Sequence, residues 1–310
     1  MSNGRNFTPP TMDKSITAGL WTIRTRHRPI LCEGEHDALV SWLGNAEGDD
    51  RAPRDPASGS VIVNGTPMQL PEILFGNNAL ELFHEKSGLQ LMFEPYGALK
   101  GWVHLFMKGN YEVIKVQEAK ERRTHPDASI KQQEYDWTWG TDYAGSCRYI
   151  SVENTSKVEG ATVPNILSHS SEKSAKWMAC KPGGIDRTLL QDQSIPILLY
   201  DDVVLFEDFI HDHGVVRLSV KTRVMPQCWY VLLRYWLRVD NVVMKVVDTR
   251  CFHKFGERSI FRERVHHSST FASLRERGFA SEPSMYLDAE AAIPALQLVA
   301  GPFYDSMDIC

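Results

Sequence analysis

At 310 residues, with 43% apolar composition and a formal net charge of −5, the chain is long enough to bury a sizeable core. The negative charge and the absence of any long basic run argue against a nucleic-acid partner, because phosphate backbones are held by clustered Lys and Arg. The opening MSNGRNFTPPTMDKS lacks the apolar stretch of a secretory signal, and no run of about 18 apolar residues follows it, so the expectation is a cytoplasmic protein, with the nucleus as a second compartment and no membrane partner.

In chain order, residues 44–60 (GNAEGDDRAPRDPASGS) carry almost no large apolar side chain and read as a flexible insertion. Residues 95–106 predict a helix, opened by Pro95 at a favoured first-turn position. The segment YDWTWGTDYAGS (135–146) interleaves Tyr135, Trp137, Trp139 and Tyr143 with polar residues. Alternation puts Tyr135, Trp137 and Trp139 on one strand face, which favours packing, whereas the loop-like Gly140-Thr141-Asp142 stretch is freer to serve a partner. Residues 154–174, rich in Ser, Lys and Glu, predict a long loop. Neither 44–60 nor 154–174 reads as a domain boundary, because the apolar segments around them are short and strand-like and need partners from elsewhere in the chain, so 1–310 is expected to form a single domain.

The clearest pattern lies at 202–253. Val216, Leu218, Val220, Thr222 and Val224 alternate with Arg217, Ser219, Lys221 and Arg223, a strand with one buried face. Pro226 ends it, having no N–H to continue a ladder. Asp240 and Asn241 then predict a tight turn that folds 229–239 back on 242–252 as a hairpin. Two further helices are expected, at 268–277 with a capping Ser and at 287–298 with an interruption near Pro294. Strands dominate, so the class is α+β with a large antiparallel sheet system in two layers.

The residues that invite a catalytic reading are few. On an extended chain His211 and His213 share a face and, joined by His253, make an alternative candidate for a metal-dependent enzyme. A solvated turn explains the same residues. No nucleophile elbow, phosphate loop or dinucleotide-binding turn is present, and Glu207 and Asp208, adjacent on a strand, point to opposite faces. The six cysteines form no CxxC pair and read as packing thiols. Asp248 and Arg250 project to one side of their strand, able to pair with each other or to meet a partner's charges.

Taken together, LPEILFGNNAL (70–80), YDWTWGTDYAGS, LFEDFIHDHG (205–214), LSVKTRVMP (218–226), LLRYWLRVDN (232–241) and the Asp-Thr-Arg at 248–250 closely resemble the TIPRL family, the TOR signalling pathway regulator-like proteins. The blocks run in the family's order from about residue 16 to 295. The resemblance implies an open antiparallel sheet sandwich with a few helices. It also implies a non-enzymatic regulator, without cofactor or metal, that binds and inhibits the catalytic subunit of type 2A serine/threonine phosphatases and acts in TOR signalling; a general scaffold is the plainer alternative. Family members hold the phosphatase's C-terminal tail in a groove, and the matching positions are Gly97, Ile185, Val246 and Asp248. Gly97 stands where shorter animal-type sequences have Asp, and Val246 where they have Met. Asp142 and Tyr143 are added as contact candidates. Asp248 is expected to orient a donor of the partner, and Arg250 to hold Asp248 in place.

Overall fold

The computed structural model describes residues 12–32, 34–35, 39, 62–63, 66–67, 70–107, 114–117, 132–135, 142–150 and 175–309; of these, 62–63, 66–67, 103–107, 114–117, 132–135 and 211 are described in main chain alone. The segments expected to be insertions, 44–60 and 154–174, and the aromatic residues Trp137 and Trp139 lie outside the described residues.

In chain order the elements are β1 (Met12–Ala18), β2 (Trp21–His27), β3 (Ile62–Val63), β4 (Thr66–Pro67), β5 (Ile73–Leu74), β6 (Ala79–His84), β7 (Leu89–Phe93) and helix α1 (Pro95–Met107). There follow β8 (Ile114–Gln117), β9 (Gln132–Tyr135), β10 (Ser146–Tyr149), β11 (Met178–Ala179), helix α2 (Arg187–Gln191) and β12 (Leu199–Asp208). Four long strands come next: β13 (Gly214–Met225), β14 (Cys228–Val239), β15 (Val243–Lys254) and β16 (Ser259–Thr270). The chain closes with α3 (Phe271–Glu276), α4 (Ala289–Ala292) and β17 (Gln297–Asp308). One sheet has the order β1-β2-β6-β7-β10 and the other β11-β17-β16-β15-β14-β13-β12-β5, with β3-β4 and β8-β9 as separate pairs. The class is α+β, an open antiparallel two-layer sandwich, as the alternating strand patterns predict.

Alternation explains the layering. On β13, Val216, Leu218, Val220 and Val224 are fully buried, and on β14 Trp229, Val231, Leu233, Tyr235 and Leu237 continue the same face. This face packs against Trp21 and Ile23 of β2, Leu80 and Leu82 of β6, Leu91 of β7, and Tyr96, Leu99 and Trp102 of α1, in a core that joins the two sheets. Polar pins cross the layers as well. Asp201 of β12 accepts hydrogen bonds from Thr25 of β2 and from Lys14 of β1 at 2.8 Å, and lies 2.8 Å from His27 Nε2. Burial alone would raise the Asp201 pKa, but these three partners win and hold it at about 2.

The expected hairpin is β14 and β15, paired from Cys228 opposite Lys254 to Val239 opposite Val243. Asn241 takes φ of +62° in its turn, a conformation that Asn tolerates better than most residues. The helix expected at 268–277 starts later than the sequence suggests. Ladder pairing carries β16 on to Thr270, opposite Val243, and the Thr270 hydroxyl, not a serine, caps α3 by accepting the Ser273 N–H at 3.1 Å. The helix expected at 287–298 is only Ala289–Ala292 followed by a 3-10 turn at Ile293–Ala295. Pro294 cannot donate within the turn, and from Gln297 the chain pairs with β16.

Candidate functional site

The eight-stranded sheet has a second face, turned away from the core, and its ends are walled by non-strand segments. At one end α3, α4 and the chain between them cover Trp236, Met244 and Val246 with Phe271, Leu274, Tyr286, Ala289 and Leu296. At the other, Ile185, Leu189, Leu190 and Ile195 pack on Met225, Cys228, Phe252 and Phe261. Gly184 permits this contact, since a Cβ there would lie 2.0 Å from the Phe261 ring.

Between the walls lies a charged floor. Asp248, with no exposed surface, accepts from Arg234 Nε at 2.7 Å and Nη2 at 2.8 Å, and from Arg250 Nη2 at 2.6 Å. Arg250 Nη1 donates to Glu263 at 2.7 Å, and Glu263 also pairs with Arg187 at 2.8 Å. On the other side Arg234 Nη1 reaches Glu290 at 2.7 Å, Glu290 lies 3.5 Å from Lys221, and Lys221 lies 3.6 Å from Asp202. Cations and carboxylates alternate along this chain of contacts, so the floor is electrically balanced. Its two most exposed members differ in sign: the Arg187 side chain is 60% exposed and that of Glu290 59%. A hollow of about 90 Å³ opens beside the Arg187 end, with Ile185, Phe261, Glu263 and Tyr304 in its lining.

Four of the residues singled out from the sequence therefore meet on one face: Ile185 in a wall, Val246 fully buried beneath the other wall, and Asp248 and Arg250 in the floor. The expected division of roles between the last two is corrected. Asp248 is sealed in with both oxygens engaged, so it offers nothing to a partner's donor directly; it is the group that orients two guanidiniums. Gly97, Asp142 and Tyr143 lie elsewhere. Asp142 approaches Arg264, which neighbours Glu263 on β16 and so points to the opposite, inner face. The Tyr143 hydroxyl accepts the Glu94 N–H at 3.0 Å and donates to the Met92 carbonyl at 3.4 Å, bonds that brace β7. Glu94 caps α1, accepting from the N–H groups of Tyr96 and Gly97 at 2.8 Å each. A Cβ at 97 would stand 2.7 Å from Glu94 Oε1 and 3.0 Å from the Tyr143 ring, so the Asp noted at this place in similar sequences would have to shift the Glu94 carboxylate from its present position.

The metal alternative fails on geometry. Residues Ile210–Asp212 form a 3-10 turn, not extended chain, so the alternation that would align His211 with His213 does not apply. His213 borders Gly214, which pairs with Val239, whereas His253 pairs with Trp229 at the far end of β14. Ten residue steps along β14 separate Trp229 from Val239, about 33 Å at about 3.3 Å each. His253 is a packed core residue: its ring lies 5.3 Å from Trp21 and 5.7 Å from Trp229, Nδ1 sits 3.1 Å from the Ser259 carbonyl oxygen, and burial pushes its pKa down.

Sequence reasoning did not single out Arg234, Glu263, Arg187 or Glu290. For Arg234 the signal was present: a turn centred on Asn241 sets residues equally distant from it opposite each other, which pairs Arg234 with Asp248.

Fold and floor together define a two-sheet antiparallel protein whose outer face presents a walled, charge-balanced surface. A model of the TIP41-like family matches residues 73–275. A TIP41-like protein of Arabidopsis thaliana is 34% identical over 235 residues, covering 74% of this chain and 76% of that one. The Homo sapiens TIP41-like protein is 34% identical over 230 residues, 72% of this chain and 75% of that one. The type 2A phosphatase activator TIP41 of Saccharomyces cerevisiae is 26% identical over 264 residues, 80% of this chain and 61% of that one. The chain belongs to the TIP41-like family, which is the TIPRL family its sequence blocks resemble.

Proposed function

We propose that the chain is a non-enzymatic regulator that binds the catalytic subunit of a type 2A phosphatase, takes the subunit's C-terminal tail across the outer face of the eight-stranded sheet, and lowers its activity. The observation that carries this reading is the walled floor, where Ile185 in one wall and Arg250 stand beside the buried Asp248, with Val246 packed beneath the other wall. Family membership supports the choice of phosphatase, since the Saccharomyces cerevisiae and Schizosaccharomyces pombe relatives are named type 2A phosphatase activators. Because the floor is neutral but its two most exposed charges are opposite in sign, a segment lying across it meets a cation at Arg187 and an anion at Glu290, and these two charges set its direction. A cytoplasmic setting and a place in TOR signalling belong to the same reading.

The test mixes the purified chain with a type 2A catalytic subunit, intact or lacking its tail, and measures complex formation and phosphatase activity together. The expected outcome is a complex with the intact subunit at micromolar concentrations or below, reduced activity in that complex, and weaker capture of the truncated subunit. No complex would end the reading altogether. A complex with raised activity would keep the partner and reverse the sign, in line with the yeast relatives' names. Equal capture of the truncated subunit would remove the tail.

A further inference from the structure

On the inner face of β16 and β17 the first charged cross-strand pair is complete. Arg262 stands opposite Asp305, donates to it at 2.7 Å, and places its guanidinium 4.1 Å from the ring centre of Trp177. The next arginine on that face, Arg264, stands opposite Phe303 and has no acid across the ladder. Its side chain is only 23% exposed, and among the described residues its buried Nε has no acceptor. Among the described residues, the acceptors that approach it are those of Asp142: the main-chain carbonyl, which accepts from Nη2 at 3.4 Å, and a carboxylate oxygen 3.9 Å away on a side chain that is 67% exposed. Burial, and then the like charge of Arg262, pull the Arg264 pKa below its usual value. His266 lies beside it. Its ring meets Phe303 edge-on at 6.4 Å, and among the described residues its buried Nε2 also has no hydrogen-bond partner.

A buried guanidinium N–H and a buried imidazole nitrogen without partners among the described residues, beside a cation whose Asp142 carboxylate stands 3.9 Å away, are costly unless a partner arrives from outside. We infer that Arg264 and His266 form a receiving site for an oxyanion, a carboxylate or phosphate group presented by a partner, with Phe303 as its apolar wall and Asp142 as the internal group it displaces. The guanidinium fork suits planar carboxylate and phosphate oxygens equally. His266 donates when its proton is on Nε2. The half-exposed Phe303 ring keeps one flank dry, which strengthens a charged contact there. This site faces away from the Asp248 floor, so it is independent of the tail-binding reading and can be probed without disturbing that network.

The full-length chain is titrated with sodium phosphate and, separately, sodium acetate at constant ionic strength, while nitrogen–proton NMR follows the Arg264 Nε–H and the His266 ring. The expected result is a saturable shift of both signals in the millimolar range, and the anion that binds more tightly names the group. Arg264→Gln should abolish the His266 shift. Asp142→Asn, a change at an exposed side chain, should tighten binding by about two- to fivefold, the usual worth of one exposed charge contact. Unmoved Arg264 and His266 signals with both anions, or an affinity unaltered by Asp142→Asn, would overturn the inference.

Discussion

Asp248→Asn removes the one carboxylate shared by the two arginines of the floor, and its cost can be worked from the contacts. Asp248 is fully buried and receives three charged hydrogen bonds, from Arg234 at 2.7 and 2.8 Å and from Arg250 at 2.6 Å. Removing one partner of a buried pair costs about 3–5 kcal/mol, because the opposite charge is left behind uncompensated. Here each arginine keeps a second carboxylate: Glu263 for Arg250 and the more exposed Glu290 for Arg234, both at 2.7 Å. The low end therefore applies, about 3 kcal/mol, equivalent to a fall in Tm of roughly 6–12 °C. Urea unfolding followed by tryptophan fluorescence, with Trp229 and Trp236 as reporters on β14, measures it. An Asp248→Asn protein within about 0.5 kcal/mol of the parent would show that the carboxylate is not holding buried charge and would refute the role given to it.

Glu94 supplies a pH signature: burial raises its pKa to about 6 despite the N–H groups of Gly97 and Tyr96. Because the folded state holds this proton more tightly than the unfolded state, the destabilisation is absent below about pH 4.5, grows as pH rises towards 6, and is complete above it. The stability difference between Glu94→Gln and the parent, measured by urea unfolding across that window, should change by about 2 kcal/mol in favour of the variant. At the β14–β15 turn, Asn241→Val should cost about 1–2 kcal/mol, since a β-branched residue resists φ of +62°, and Asn241→Gly should be near neutral; thermal unfolding of both checks this. Gly214→Ala places a Cβ 1.9 Å from the Arg238 carbonyl oxygen, so the β13–β14 ladder must move. A loss of about 3 kcal/mol or more is expected in the same assay.

The fold was legible where one face of a strand is buried and the other wet. Val216 to Val224 and the Asp240-Asn241 turn fix β13, β14 and β15, because a register slip of one residue would turn Leu218 and Val220 outward. Helix ends near residue 270 were misread because ladder pairing outweighs local capping chemistry, and Thr270 serves both as last strand residue and as cap. The site was legible only in part. Asp248 and Arg250 announced themselves as a same-face pair, but the walls beside them come from segments 185–195 and 271–296, whose short turns and single-turn helices carry no periodicity from which burial could be read. The His211–His213 reading failed for a related reason: a 3-10 turn interrupts the alternation it assumed.

Stability alone does not account for the floor. Replacing a complete buried ion network with well-packed apolar residues is often neutral or stabilising by about 1–4 kcal/mol, so a sheet face already flanked by Val246, Trp236 and Phe252 would hold together without charge. What apolar residues cannot do is fix the exposed charges: Arg187 is held through Glu263, which leans on Arg250, and Glu290 through Arg234. A variant with Asp248→Leu, Arg234→Met, Arg250→Met and Glu263→Met replaces the buried charges together and separates the two roles. It should unfold within about 1 kcal/mol of the parent in urea, while binding the type 2A catalytic subunit at least tenfold more weakly, a difference of about 1.4 kcal/mol in binding free energy. If binding survives intact alongside stability, the two exposed charges work without the floor that connects them, and the direction they were proposed to impose on a bound segment must come from elsewhere.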